Sequence, residues 1–148
     1  MQLYSFLSRR TDSKFNKTIH KRLNQSRLNR YPISLSRISR ILSKDRLISE
    51  DKKFTSRIVA VVGTVTNDNR LLILPEGLRI CALKFTNAAR ARITQAKGEC
   101  LTFDALAQTA PTGKNVLLLR GPRDREAKRH FGLYPGQKDS HTAPRVRH

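Results

Sequence analysis

Chemistry at a protein surface needs a nucleophile beside a base, paired carboxylates, clustered metal ligands, a phosphate loop or a field of cations. Only the last is abundant in this chain. The run Ala110-Pro111-Thr112-Gly113-Lys114-Asn115 touches the phosphate-loop pattern, but its first glycine is missing and asparagine replaces the expected serine or threonine. No helical pattern follows it, so a turn ahead of a strand accounts for it. His20, His130, His141 and His148 have no cysteine or second histidine at ligand spacing, which argues against a metal and for basic roles facing a partner. Asp45, Glu50 and Asp51 come nearest to a carboxylate cluster and read as a polar linker. Glu126 lies among Arg123, Arg125 and Arg129 and is expected to pair with them. No nucleophile–base pair emerges, so neither a catalytic residue nor a cofactor is predicted.

The cations are a different matter. The 148 residues carry 30 Lys+Arg against 11 Asp+Glu, a formal net charge of +19. A merely solubilising surface carries roughly 2–8 charges. An excess of this size repels itself in a compact monomer and becomes affinity against a polyanion, because neutralised phosphates release their counterions. Nucleic acid is the expected partner; charge alone also admits an anionic membrane surface. No apolar stretch approaches the roughly 20 residues of a membrane span, and no secretory apolar region is present. Cys81 and Cys100, each inside an apolar run, read as small core residues in a reducing compartment. Residues 1–30 are rich in Arg, Lys and Ser with Asp12 as their one acid. A mitochondrial transit peptide and an RNA-binding extension share that composition.

The basicity lies at the ends. Residues 1–57 hold 15 Lys+Arg against 4 Asp+Glu, residues 58–119 hold 7 against 4, and residues 120–148 hold 8 against 3. The pattern predicts a basic helical N-terminal extension (1–57), an α/β globular core (58–119) and a basic C-terminal tail (120–148). In the extension, Phe15, Ile19 and Leu23 recur every fourth residue after Ser13, a suitable N-cap, with Lys14, Lys17 and Lys21 on the opposite face. The arrangement repeats after Ser34: Leu35, Ile38 and Leu42 form a stripe facing away from Arg37, Arg40 and Lys44. Tyr31-Pro32 separates the two helices. Two consecutive helices with basic outer faces and few acids predict a docking surface.

The core reads as irregular strand-strand-helix turns. Residues 57–65 form a nearly continuous apolar run suited to a buried strand. Asn67-Asp68-Asn69 turns the chain into a second strand at Leu71 to Leu74, and Pro75-Glu76-Gly77 turns it into a third at 78–85. Thr86 is expected to cap a helix with the stripe Ala89, Ile93, Ala96, ended by Gly98. A strand at 99–103, a short helix capped by Asp104 and a last strand at 115–119 follow. In the tail, 123–131 suits a short basic helix. Beyond Gly132 the tail has too little apolar surface to bury, so it is expected to order only against a partner.

Three sets of residues carry a resemblance. The first is Leu3-Tyr4-Ser5-Phe6-Leu7-Ser8-Arg9-Arg10-Thr11 with Phe15-Asn16, Lys21-Arg22-Leu23 and Ser34-Leu35-Ser36-Arg37. The second is Val61-Val62-Gly63-Thr64-Val65-Thr66, Cys81-Ala82-Leu83, Ala89-Arg90-Ala91-Arg92-Ile93 and Leu101-Thr102-Phe103-Asp104-Ala105-Leu106-Ala107. The third is Gly121-Pro122-Arg123, Arg129-His130-Phe131-Gly132, Pro135-Gly136 and Ser140-His141-Thr142. In this order and spacing the chain resembles the eukaryotic large-subunit ribosomal protein eighteen family, related to bacterial large-subunit protein fifteen. The third set is similar to the eukaryotic branch. The chain resembles a version shortened at both ends, without the basic lead-in and the long basic tail. A resemblance beginning at Leu3 counts against a cleaved transit peptide.

The resemblance implies a structural constituent of the cytosolic large ribosomal subunit, without enzymatic activity, assembled in the nucleolus and working in the cytoplasm. Its expected partners are ribosomal RNA and neighbouring large-subunit proteins, with no membrane and no small-molecule substrate. The alternatives are a mitochondrial ribosomal protein with a transit segment and a small RNA-processing enzyme. Phosphate contacts are expected from Arg9, Arg10, Lys14, Lys21, Arg22, Arg27 and Arg30, continued by Arg37, Arg40, Arg90 and Arg92. The tail adds Arg123, Arg129, His130, His141 and Arg145. Such groups position RNA by charge and shape more than by base readout. Phe131 or Tyr134 is expected either to stack on an unpaired base or to pack over the core.

Overall fold

A computed structural model of the chain describes residues 2–44, 57–123 and 126–144. In chain order the elements are α1 (Gln2–Arg10), α2 (Lys14–Leu23), a 3-10 turn (Arg27–Asn29), β1 (Ile33–Ser34) and α3 (Leu35–Lys44). They continue with β2 (Ile58–Thr66), β3 (Arg79–Phe85), α4 (Asn87–Gln95), β4 (Glu99–Leu101), α5 (Phe103–Thr109), β5 (Val116–Leu119) and a 3-10 turn (Glu126–His130). The class is α/β, built on a five-stranded, fully parallel sheet.

β2 is the centre. One of its edges pairs with β3, and β3 in turn with β4. The other edge is shared: β5 runs beside Ile58 to Val61, and β1 beside Val65 and Thr66. A strand paired on both edges and covered on both faces must be apolar throughout, which explains the uninterrupted run Ile58-Val59-Ala60-Val61-Val62. Its side chains alternate between two apolar layers. Val59, Val61 and Val65 point into one with Ile80, Ala82, Leu35, Ile38, Leu42, Ala89 and Ile93. Ile58, Ala60 and Val62 point into the other with Cys81, Tyr4, Ile19, Leu23, Phe103 and Leu106. Helices α3 and α4 therefore cover one face, and α1, α2 and α5 the other. The helices of the basic N-terminal segment supply part of both layers.

Where the register of β2 against β3 shifts, between Val61 and Thr64, Gly63 faces the backbone of Tyr31. A Cβ there would stand 2.7 Å from the Tyr31 carbonyl oxygen, so only glycine admits the approach of the chain entering β1. Gly121 is tighter still: its Cβ would lie 2.0 Å from the Pro32 oxygen. The start of the tail is thereby seated on the segment that leads into β1.

Four local expectations are corrected. Leu71 to Leu74 is not a strand but part of the crossover from β2 to β3. Parallel neighbours require the chain to return to the starting end, and both edges of β2 are already taken. Second, α5 is capped by Thr102, whose hydroxyl accepts from Ala105 N–H at 3.3 Å, and Asp104 lies in the first turn. Third, α4 is capped by Thr86 as expected, but the left-handed residue at its end is Lys97 (φ 55). Gly98 serves proximity instead, since its Cβ would sit 2.6 Å from the Leu78 oxygen. Finally, Ser13 precedes α2 without capping it, and its hydroxyl donates to the Thr112 oxygen at 2.9 Å.

The turn that touched the phosphate-loop pattern is occupied by the protein itself. A Cβ on Gly113 would stand 2.2 Å from the Phe15 ring, and buried Asn16 donates through Nδ2 to the Pro111 oxygen at 2.8 Å.

Candidate nucleic-acid interface

The carboxyl ends of β1, β2 and β3 form one edge of the sheet, and the chain leaves that edge into α3, the crossover and α4. Ligands of open parallel sheets gather outside such an edge because helix starts and loops converge there. Grooves among the described residues open along it, and two of them are lined by three cations each. One, of about 380 Å³, is lined by Pro32, Ser34, Ser36, Arg37, Arg40, Thr66, Arg70 and Pro122. The other, of about 320 Å³, is lined by Arg27, Arg30, Gly63, Thr64, Leu83 and Lys84. The stripe Leu35, Ile38, Leu42 is fully buried under α3, and that burial turns Arg37 and Arg40 outward.

Asp68 is the carboxylate beside the first groove. The Arg70 guanidinium grips it through two bonds of 3.0 Å, and the Ser36 hydroxyl donates to it. The bonds from Arg70 and then from Ser36 hold its carboxyl well below the usual carboxylate range. The two bonds from Arg70 set its guanidinium against Asp68 at the groove rim. Elsewhere Asp12 faces Lys17 at 3.3 Å and Glu99 faces Arg79 at 3.0 Å. The Asp68–Arg70 pair is close to neutral, so the positive field over the edge comes from Arg27, Arg30, Arg37, Arg40 and Lys84.

The sequence-predicted cations are placed differently by the fold. Arg27, Arg30, Arg37 and Arg40 are brought together at the carboxyl edge. Arg9, Arg10, Lys14 and Lys21 are exposed on α1 and α2, on the other face of the sheet, and line neither groove. Arg90 is exposed on α4, 5.8 Å from the centre of the Phe85 ring. Others use the guanidinium inside the fold. Arg22 Nη1 donates to the Leu119 oxygen at 3.1 Å, and burial, then Arg120, lowers its pKa. Arg30 donates to the Gln25 and Leu23 oxygens at 2.9 and 3.0 Å while still lining its groove. Arg92 is the fullest case. Its guanidinium bonds the Asn67 side chain and the backbone oxygens of Asp68, Leu71 and Leu72. It supplies the donors that a strand partner would have given the crossover, which lets Leu74 reach the core while Leu72 stays 88% exposed.

In the tail, Arg123, Arg129 and His141 are exposed, and the half-buried His130 donates from Nδ1 to the Ala143 oxygen at 2.8 Å. Arg145 lies outside the described residues, as do Asp45, Glu50, Asp51 and His148. Phe131 and Tyr134 are 69% and 70% exposed, so neither packs over the core. Lys128 and Arg120 approach the buried Tyr31 ring at 5.7 and 4.9 Å and tie the tail to the body. Sequence reasoning missed Arg70 and Lys84. The signal for Lys84 was present, as a cation at the end of an apolar parallel strand. Arg70 is hidden because a turn before Leu71 to Leu74 does not by itself reveal that it lies at the carboxyl edge of the sheet. Among the described residues, no three His, Cys, Asp or Glu side chains gather as a metal site. None of the described helices is long and apolar enough to cross a membrane.

The family model described as ribosomal protein 60S L18 and 50S L18e matches residues 1–148. The chain belongs to this family. It is 54% identical over 147 residues to "Large ribosomal subunit protein eL18" of Tetrahymena thermophila, covering 99% of this chain and 76% of that protein. It is 53% identical to the eL18 of Trypanosoma brucei brucei, covering 99% and 75% of the two chains. To the eL18A of Schizosaccharomyces pombe it is 53% identical over 148 residues, covering 99% and 74%.

Proposed function

We propose that this chain is a structural constituent of the large subunit of the cytosolic eukaryotic ribosome, where it binds and stabilises ribosomal RNA. The observation that carries this reading is the family match along residues 1–148, with relatives near half identity named as large-subunit proteins. The geometry fits it: a cation-lined edge offers groups that hold phosphates without demanding a base sequence. Arg27, Arg30, Arg37, Arg40, Arg70 and Lys84 form the first contact surface at the carboxyl edge. Arg9, Arg10, Lys14 and Lys21 serve a second RNA segment on the opposite face, Arg90 a contact on α4, and Arg123, Arg129, His130, His141 and Arg145 one along the tail. Arg22 and Arg92 contribute charge while their hydrogen bonds hold the fold. The protein works by positioning RNA and neighbouring proteins rather than by catalysis.

Sedimentation tests this. Tagged protein expressed in cells should enter the large-subunit and intact-ribosome peaks of a low-salt sucrose gradient, and resist release by salt. Protein that remains at the top of the gradient would overturn the proposal.

A further inference from the structure

Within the tail, residues 129–143 close on themselves. Ala143 N–H donates to the Arg129 oxygen at 2.7 Å, and the His130 ring returns a bond to the Ala143 oxygen, shutting the base of a loop over residues 129–143. Inside it Thr142 Oγ1 donates to the Phe131 oxygen at 3.2 Å and Ser140 Oγ to the Leu133 oxygen at 2.9 Å. Gln137 N–H reaches the Tyr134 oxygen at 3.3 Å, and Ser140 N–H the Gln137 oxygen at 3.0 Å. Gly132, Gly136 and Asp139 adopt left-handed backbone (φ 110, 89 and 61), which allows the repeated reversals. Backbone and hydroxyl bonds close the loop, and its large apolar side chains take no part in the two core layers.

Those side chains point outward instead. Phe131, Leu133 and Tyr134 are 69%, 53% and 70% exposed on one short stretch. Exposed Arg129, Lys138 and His141 share the loop with Asp139 as its one acid. An apolar protein surface would be met by the three large side chains alone. Aromatic faces interleaved with cations match a partner that carries both flat bases and phosphates. A loop already closed loses little further freedom on binding.

We infer that the closed loop 129–143 is a preformed clamp for an unpaired RNA nucleotide. The Tyr134 or Phe131 ring stacks on the base while Lys138 and His141 meet the flanking phosphates. The inference rests on the ribosomal RNA reading above and gives that reading a specific contact.

The test uses the full chain and two RNA hairpins that differ in one 2-aminopurine, bulged in the first and paired in the second. The parent protein should prefer the bulged hairpin, and binding should quench its fluorescence. Tyr134→Ala or Phe131→Ala should lower affinity for the bulged hairpin about tenfold, the loss of one base–aromatic stack, and leave the paired hairpin unchanged. The replacement Tyr134→Phe should keep the preference. Salt dependence should stay the same in Tyr134→Ala, whereas Lys138→Ala should flatten it by about one phosphate contact. Circular dichroism and an unchanged unfolding midpoint confirm that the variants fold. A parent without preference, or both alanine variants binding the bulged hairpin like the parent, would overturn the clamp. Unchanged bulge binding with weaker retention on the particle would assign the loop to a protein neighbour, which also overturns it. Co-sedimentation with the large subunit in the absence of any bulge preference sinks the clamp alone, and failure to co-sediment sinks the broader reading.

Discussion

The two ends of this chain are both basic and behave oppositely in structure. Residues 2–44 bury Tyr4, Ile19 and Leu23 in one apolar layer and Ile33, Leu35, Ile38 and Leu42 in the other. Residues 129–143 expose Phe131, Leu133 and Tyr134 and close through hydrogen bonds. The difference comes from spacing. Apolar residues every third or fourth position give a helix one face to bury, and the cations are then forced outward. Apolar residues scattered among glycine and proline form no face, so the tail holds its shape through backbone reversals and hydroxyl bonds. Two basic ends thus become a cationic wall at one end and a displayed loop at the other.

The comparison can be broken most directly in the first region. Ile38→Ala should destabilise the protein by about 2–5 kcal/mol in chemical denaturation, the cost of a cavity under a fully buried side chain. A cost under about 1 kcal/mol would mean that the N-terminal helices are not integral to the core. Next in size is Gly121→Val, which sets a side chain against the Pro32 carbonyl. It should cost about 1–3 kcal/mol and speed proteolysis beyond residue 120, since the tail must lift from its seat. Equal proteolysis would show that the tail is not anchored there.

Smaller effects sharpen the contrast. Replacing Arg37 and Arg40 together by alanine should leave stability nearly unchanged and reduce the salt dependence of RNA binding by about two phosphate contacts. An unaltered slope would remove the carboxyl edge from the interface. Smallest is the effect of Tyr134→Ala on stability, expected within about 0.5 kcal/mol because the ring is exposed. A larger loss would mean that the tail aromatics support the core after all.

Much of this was legible in the sequence. The stripes Phe15-Ile19-Leu23 and Leu35-Ile38-Leu42, the central strand and the Thr86 cap follow from periodicity and local hydrogen-bonding capacity, which act between near neighbours. The crossover at Leu71 to Leu74 was not legible, because four apolar residues between turn signals suit a strand equally well. What decided it was the occupancy of both edges of β2, a fact about residues far away in the chain. The two-residue strand β1 was too short to leave a pattern of its own.

The charge showed the same division. From the sequence alone came the net charge of +19, its bias to the ends and the outward faces of two helices. These depend only on residue type and helical spacing. Which cations remain available was decided by tertiary structure. The crossover carbonyls had no strand partner, so Arg92 donates to them; the end of β5 lay beside α2, so Arg22 bonds Leu119. Arg70 and Lys84 join Arg37, Arg40, Arg27 and Arg30 at one edge only because parallel pairing brings three strand ends together. A side chain's charge belongs to the sequence, but its neighbours are set by how the whole chain packs.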